Sequence, residues 1–161
     1  MIVGIGLDVC AIERMEEALA KHGDRFWKRI LTDREQALLH ERVDRATALA
    51  GRWAAKEAIV KAMAGAPGVG WRDLEVLGAP REQPVMHVHG AARALAERMG
   101  VEKIFVSITH DGGVAAAVVI LEASGASSAP TRLVASDEAP ERAEALAAGQ
   151  PFADDAQEGN P

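Results

Sequence analysis

The chain has 161 residues, of which 48% are apolar but only 4% aromatic, so Ala, Val, Ile and Leu must do most of the packing in what reads as one domain. No apolar run approaches the roughly 18 residues a membrane helix needs, and no charged leader with an apolar stretch and small-residue cleavage site opens the chain; the expectation is a soluble, cytoplasmic protein. Residues 1–123 carry 16 basic and 17 acidic side chains and residues 124–161 carry 2 and 7, so most of the net charge of −6 sits at the C-terminal end, and the near-neutral body has no general nucleic-acid signal. Cys10 is the only cysteine, which excludes an intrachain disulfide and a cysteine-based zinc site.

In chain order, residues 2–8 are rich in Ile, Val and Leu and predict a buried strand. Ile12, Met15 and Leu19 recur at helical spacing over residues 11–21, ending near Gly23. A short helix is expected over 24–31. Thr32-Asp33-Arg34-Glu35 is a capping box, in which the Thr32 hydroxyl takes a free backbone N–H and Glu35 returns the bond. A long helix is expected from about Ala46 to Ala64. Gly65 to Gly70 is a glycine- and proline-punctuated loop. Two short strands, near 73–78 and 84–89, are joined by a turn at Ala79 to Gln83. Residues 90–99 form an Ala-rich helix stopped by Gly100. Lys103–Thr109 and Val114–Leu121 are β-branched runs joined by a tight turn at Asp111-Gly112-Gly113. Residues 1–123 therefore read as an α+β domain of order β-α-α-α-β-β-α-β-β. Residues 124–161, small, acidic and Pro-rich, read as a disordered tail with too little apolar surface to offset the entropy of ordering.

Two carboxylates stand out. Asp8 ends the first apolar run, and Glu57 lies mid-helix in Arg52-Trp53-Ala54-Ala55-Lys56-Glu57-Ala58, one turn before Lys61. A carboxylate at a strand end and one on a helix face suit a hard cation completed by waters and phosphates. The same residues admit plainer readings. Asp8 would cap the following helix, and Glu57 with Lys61 would be an exposed i,i+4 salt bridge. The helix places Trp53, Glu57 and Lys61 on one side and Ala54, Ala58 and Ala62 on a neighbouring side, where small residues permit close backbone packing.

Three segments in order resemble the holo-acyl-carrier-protein synthase family of 4'-phosphopantetheinyl transferases. They are Gly4-Ile5-Gly6-Leu7-Asp8 with Arg14; Arg52-Trp53-Ala54-Ala55-Lys56-Glu57-Ala58 with Lys61-Ala62; and Val106-Ser107-Ile108-Thr109-His110 followed by Val114-Ala115-Ala116-Ala117-Val118. The resemblance covers about residues 1–122. It implies the family's fold, with one long central helix packed on an antiparallel sheet. It also implies transfer of the phosphopantetheine arm of coenzyme A to a serine of an acyl carrier protein, releasing adenosine 3',5'-bisphosphate, in fatty acid biosynthesis.

By that likeness Asp8 and Glu57 bind Mg²⁺ (Mn²⁺ being the alternative) and, with Lys61, form the catalytic set. Glu57 acts as base directly or through a metal-bound water, and Lys61 stabilises the leaving phosphate or helps ionise the hydroxyl. Arg52, Lys61 and His110 contact coenzyme A, although His110 beside a turn equally suits a solvent-facing residue. An acidic carrier would dock on a basic face of Arg14, Lys21, Arg25 and Lys28, spaced by seven, four and three, and complementarity would steer it; the plainer reading is that Glu13, Glu16, Glu17 and Asp24 neutralise these charges, residues 1–31 carrying five basic and five acidic side chains. The family implies a homotrimer with sites between subunits, and no membrane or nucleic-acid partner.

The chain departs from the family pattern at Met63-Ala64-Gly65-Ala66-Pro67-Gly68, where a Gly-Thr-Gly turn is usual. It departs again at Glu82-Gln83-Pro84, where Gly-Lys-Pro is common, and in the tail. Two other readings are a carrier-binding module without transfer and a different Mg²⁺-dependent nucleotide enzyme. The absence of a Walker-type phosphate loop disfavours the latter.

Overall fold

The computed structural model describes residues 1–40, 42–78 and 82–124. The elements run β1 (Ile2–Ala11), α1 (Ile12–Ile30), α2 (Asp33–Leu39), α3 (Arg45–Ala62), a 3₁₀ turn (Trp71–Asp73), β2 (Leu74–Leu77), β3 (Val85–Val88), α4 (Gly90–Arg98), β4 (Val101–Asp111) and β5 (Val114–Ala123). This is the expected α+β order. The expected tail and the centre of the expected 79–83 turn lie outside the described residues.

β1, β5 and β4 form an antiparallel sheet in that order, and β2 pairs with β3 in a separate ribbon. Asp111 pairs with Val114 across the β4–β5 turn, where Gly112 (φ 55°) and Gly113 (φ 82°) supply the two positive dihedrals such a hairpin requires. The capping box forms as expected: Glu35 N–H donates to the Thr32 hydroxyl and Thr32 N–H to the Glu35 carboxylate.

α3 lies across one face of the three-stranded sheet, and its approach to β1 explains the glycines of the first motif. A Cβ on Gly4 would stand 2.3 Å from the Ala62 carbonyl oxygen, and one on Gly6 1.9 Å from that of Ala58. Only residues without a Cβ let the two backbones meet this closely. Ala54, Ala58 and Ala62 are buried, and Ala115, Ala117, Val119 and Leu121 of β5 close the core from below.

β1 departs from the expected buried strand. Its inward row is Gly4, Gly6, Asp8 and Cys10, but Ile5 (62% exposed), Leu7 (59%) and Val9 (54%) face outward. Pairing sets Ile5 beside Ile120, which in turn stands beside Phe105, so this apolar row crosses all three strands, while Leu7 stands beside Val118. The outward row is as apolar as a core row, yet α3 covers only the inward face.

Candidate active site

β1 continues three residues past Asp8, to Ala11, and the N-cap of α1 is Ala11 without a side-chain bond. Asp8 is therefore not a helix cap. Its side chain lies on the α3 face of the sheet, where Lys61 Nζ approaches Asp8 Oδ1 at 2.8 Å and the Leu7 carbonyl oxygen at 3.1 Å. Lys61 thus reaches across to β1 and makes its ion pair with Asp8 in place of Glu57. The glycine-mediated contact of β1 with α3 brings these three residues together.

Glu57 has a pKa raised above the ordinary glutamate value. Burial is the main cause, with the nearby Asp8 charge adding to it; Lys61 and Arg14 act in opposition. Two like charges are thus held close in a partly desolvated place, with a lysine bridging to one of them. The same surroundings push the buried Cys10 thiol up to about 11, chiefly by burial, so it is protonated and unreactive at neutral pH. Among the described residues no group of three or more His, Cys, Asp or Glu side chains gathers into a metal cage. Two carboxylates are nevertheless a sufficient protein share for Mg²⁺, which keeps several waters and takes phosphate oxygens.

Arg52 and His110 line a different depression, of about 170 Å³, on the β4 side of α3. Asp8 pairs with Ala117, which pairs with Ile108, so the two sites are separated by two strand spacings, roughly 10 Å. Arg52 is only 8% exposed, its hydrogen bonds to the Ala48 and Gly78 carbonyls are both 3.4 Å long, and its Nε has no partner among the described residues. A buried guanidinium so poorly satisfied can accept an anionic ligand. Arg42, which the motifs do not single out, lines the same depression and is clamped by Asp44 at 2.8 Å through Nε.

Arg14, Lys21 and Arg25 share a third feature, a groove of about 570 Å³ that also takes in Arg29, Phe26 and Trp53. Lys28 lines a separate depression with Trp27, His40 and Arg45. Regular helical spacing would place all four basic residues together, but the helix is broken at Gly23 (φ 53°, ψ −136°), which shifts the phase of the residues beyond it. Trp53 lies on the Glu57 side of α3 as its spacing predicts, and nothing local in the sequence signals its contact with Arg14.

Residues 4–119 match the family model described as the 4'-phosphopantetheinyl transferase superfamily. The chain is 44% identical over 128 residues to a holo-[acyl-carrier-protein] synthase of Anaeromyxobacter dehalogenans, covering 78% of this chain and 99% of that one. The holo-ACP synthase structure from Plasmodium yoelii superposes with a TM-score of 0.69 at 29% identity, covering 78% of this chain and 98% of that chain. The Helicobacter pylori holo-[acyl-carrier-protein] synthase, solved in complex with coenzyme A, gives 0.63 at 27% identity over 73% and 99%. The chain belongs to the 4'-phosphopantetheinyl transferase superfamily and is an enzyme of its holo-[acyl-carrier-protein] synthase kind.

Proposed function

We propose that this enzyme transfers the 4'-phosphopantetheine group of coenzyme A to a serine of an acyl carrier protein in a Mg²⁺-dependent reaction, releasing adenosine 3',5'-bisphosphate. The observation that carries this reading is the meeting of Asp8, Lys61 and Glu57 at the β1–α3 contact, with Glu57 held above the ordinary glutamate pKa. Asp8 and Glu57 would hold the cation, which when bound neutralises charge on the diphosphate oxygens and aligns the phosphorus for attack. The carrier serine Oγ bonds to the phosphorus that bears the pantetheine arm, and the bond from that phosphorus to the adenosine bisphosphate oxygen breaks. Glu57, poised closer to neutrality than an ordinary glutamate, takes the serine proton directly or through a water. Lys61, half exposed beside Asp8, stabilises charge on the phosphates.

The poorly satisfied Arg52, with His110 beside it, supports a contact to the nucleotide phosphates. This pair is one side of α3 away from Asp8, and among the described residues nothing packs on the apolar outer sheet face. Both features favour association of copies, which the family likeness makes a homotrimer, with Asp8, Glu57 and Lys61 of one copy sharing a coenzyme A with Arg52 and His110 of the next. An unpartnered apolar sheet face of this kind marks an association surface. Arg14, Lys21 and Arg25 line the docking groove for an acidic carrier, with Lys28 outside it. No helix among the described residues is long and apolar enough to cross a membrane, in keeping with cytoplasmic action in fatty acid biosynthesis. The catalytic domain is 1–123, and residues 124–161 are an extension whose deletion should leave transfer intact.

The test is intact-mass spectrometry of an apo acyl carrier protein incubated with the enzyme, coenzyme A and Mg²⁺. A gain of one phosphopantetheine group, abolished by a chelator, is the expected result. No gain across several carriers, with coenzyme A still bound, would replace transfer by a docking role.

A further inference from the structure

We infer that Trp53 is a positioning residue for carrier docking: its indole holds the Arg14 guanidinium at the groove between α1 and α3. The inference rests on the proposed transfer to a carrier and deepens it by naming what fixes the docking charge. Arg14 is exposed and makes no hydrogen bond or ion pair among the described residues. Among the described residues it packs on the Trp53 ring, 5.5 Å from the guanidinium carbon to the ring centroid. A free arginine samples many rotamers, and a cation–π contact selects among them.

The platform itself is locked. Trp53 stacks on Trp71 at 4.6 Å and on Phe26 at 6.1 Å between ring centroids. Phe26 and Arg14 lie on opposite sides of the break in α1, so one indole gathers both halves of the basic groove onto α3. Lys21, Arg25 and Arg29 line the same groove, and among the described residues lining it Glu17 is the one acid. Trp53 also lies one helical turn before Glu57, so a charge held over it is held near the reacting end of the site. A partner carboxylate that binds Arg14 is thereby brought to a fixed place relative to Glu57, and docking is put in register with chemistry.

Steady-state kinetics on the full chain, varying carrier and coenzyme A separately, test this with W53L, W53F, R14Q and W53L/R14Q. W53L should raise the carrier KM by about twofold to fivefold if the cation–π contact stays exposed, and by up to about thirtyfold if docking desolvates it. Its coenzyme A KM should stay within about twofold, and the salt dependence of carrier KM should weaken as it does in R14Q. W53F should fall between wild type and W53L. The double variant should be no worse than R14Q, because both changes remove one interaction. If W53L fails to fold, W53F carries the test: its carrier KM should rise about twofold, with no added effect on the R14Q background. Multiplying effects of the two changes, or equal losses for both substrates, would overturn the positioning role. A wild-type enzyme that transfers while W53L keeps its carrier KM overturns the role alone; a wild-type chain that transfers nothing overturns the proposed function with it.

Discussion

Lys56 of α3 and Glu35 of α2 form an ion pair of 2.7 Å in which both side chains are fully buried. Lys56 also donates to the carbonyls of Ile30 at 2.7 Å and Trp71 at 3.0 Å, which uses all three ammonium protons. Glu35 in turn accepts from the Thr32 and Val76 backbone N–H groups at 2.8 and 2.9 Å. One pair thus ties the end of α1, the start of α2, the 3₁₀ turn and β2 to the helix that carries Glu57. Burial pulls the Lys56 pKa down, and the attraction of Glu35 works against that pull. Removing one partner leaves the other charge buried and unpaired. Lys56→Met should therefore lower unfolding free energy by about 3–5 kcal/mol. The double variant Glu35→Gln/Lys56→Met should lose less, because no charge is stranded. Urea unfolding monitored by tryptophan fluorescence reads both, and a single variant within about 1 kcal/mol of wild type would contradict the role of the pair.

Glu57→Gln should separate stability from activity. The Glu57 pKa is raised in the folded state, so its contribution to stability is complete below the ordinary glutamate pKa. That contribution is lost as pH rises through the raised folded value. At neutral pH the ionised carboxylate, beside Asp8, is a cost. The Gln variant should melt higher than wild type in chelator at neutral pH, with the advantage vanishing toward about pH 4. It should lose the stabilisation Mg²⁺ gives wild type and nearly all transfer. Thermal melts with and without Mg²⁺, across pH, check the sign; a lower melting point in chelator would contradict it.

The order of elements is legible because its signals are local: the Thr32–Glu35 capping box, the Gly112-Gly113 turn and the small-residue stripe of α3 each depend on a few neighbouring residues. The joining of Asp8 to the Glu57–Lys61 helix is legible through motif resemblance, and its cause is steric, with Gly4 and Gly6 shaped to the carbonyls of Ala62 and Ala58. What sequence does not carry is choice of partner among equivalent groups. Lys61 reaches Asp8, 53 residues away, in place of Glu57 one turn away. Lys56 is buried by Glu35, 21 residues away, although both look like surface charges. The outward apolar row of β1 reads as core because residue type alone does not say which face of a strand another element covers.

Gly6→Ala tests the steric basis of the site. The added methyl carbon would stand 1.9 Å from the Ala58 carbonyl oxygen and 2.7 Å from the Ala62 nitrogen, both backbone atoms that cannot rotate away. α3 must lift from β1, parting Asp8 from Lys61 and Glu57. A loss of about 1–3 kcal/mol, or more, is expected from overpacking of this kind, with loss of Mg²⁺-dependent stabilisation even in the fraction that folds. Denaturation and Mg²⁺ titration by calorimetry measure the two effects, and wild-type metal affinity in a folded Gly6→Ala protein would show that Asp8 and Glu57 do not need this contact.

Leu7→Lys tests what covers the outer sheet face. Leu7 is 59% exposed in the single chain and stands beside Val118 in the apolar row, while the inward residues Gly6 and Asp8 are untouched by the change. In an isolated subunit a lysine there costs little, as exposed substitutions usually stay within about 0.5 kcal/mol. In a trimer built on this face, three ammonium groups would be buried against apolar neighbours without partners, a penalty of several kcal/mol per ion. Light scattering coupled to size-exclusion chromatography should therefore give a trimer for wild type and a folded monomer for Leu7→Lys. Because Arg52 and His110 lie on the far side of α3 from Asp8, the monomer should also lose coenzyme A affinity while keeping the Lys61–Asp8 site intact. A monomeric variant that binds coenzyme A as tightly as wild type would place the whole nucleotide site within one chain.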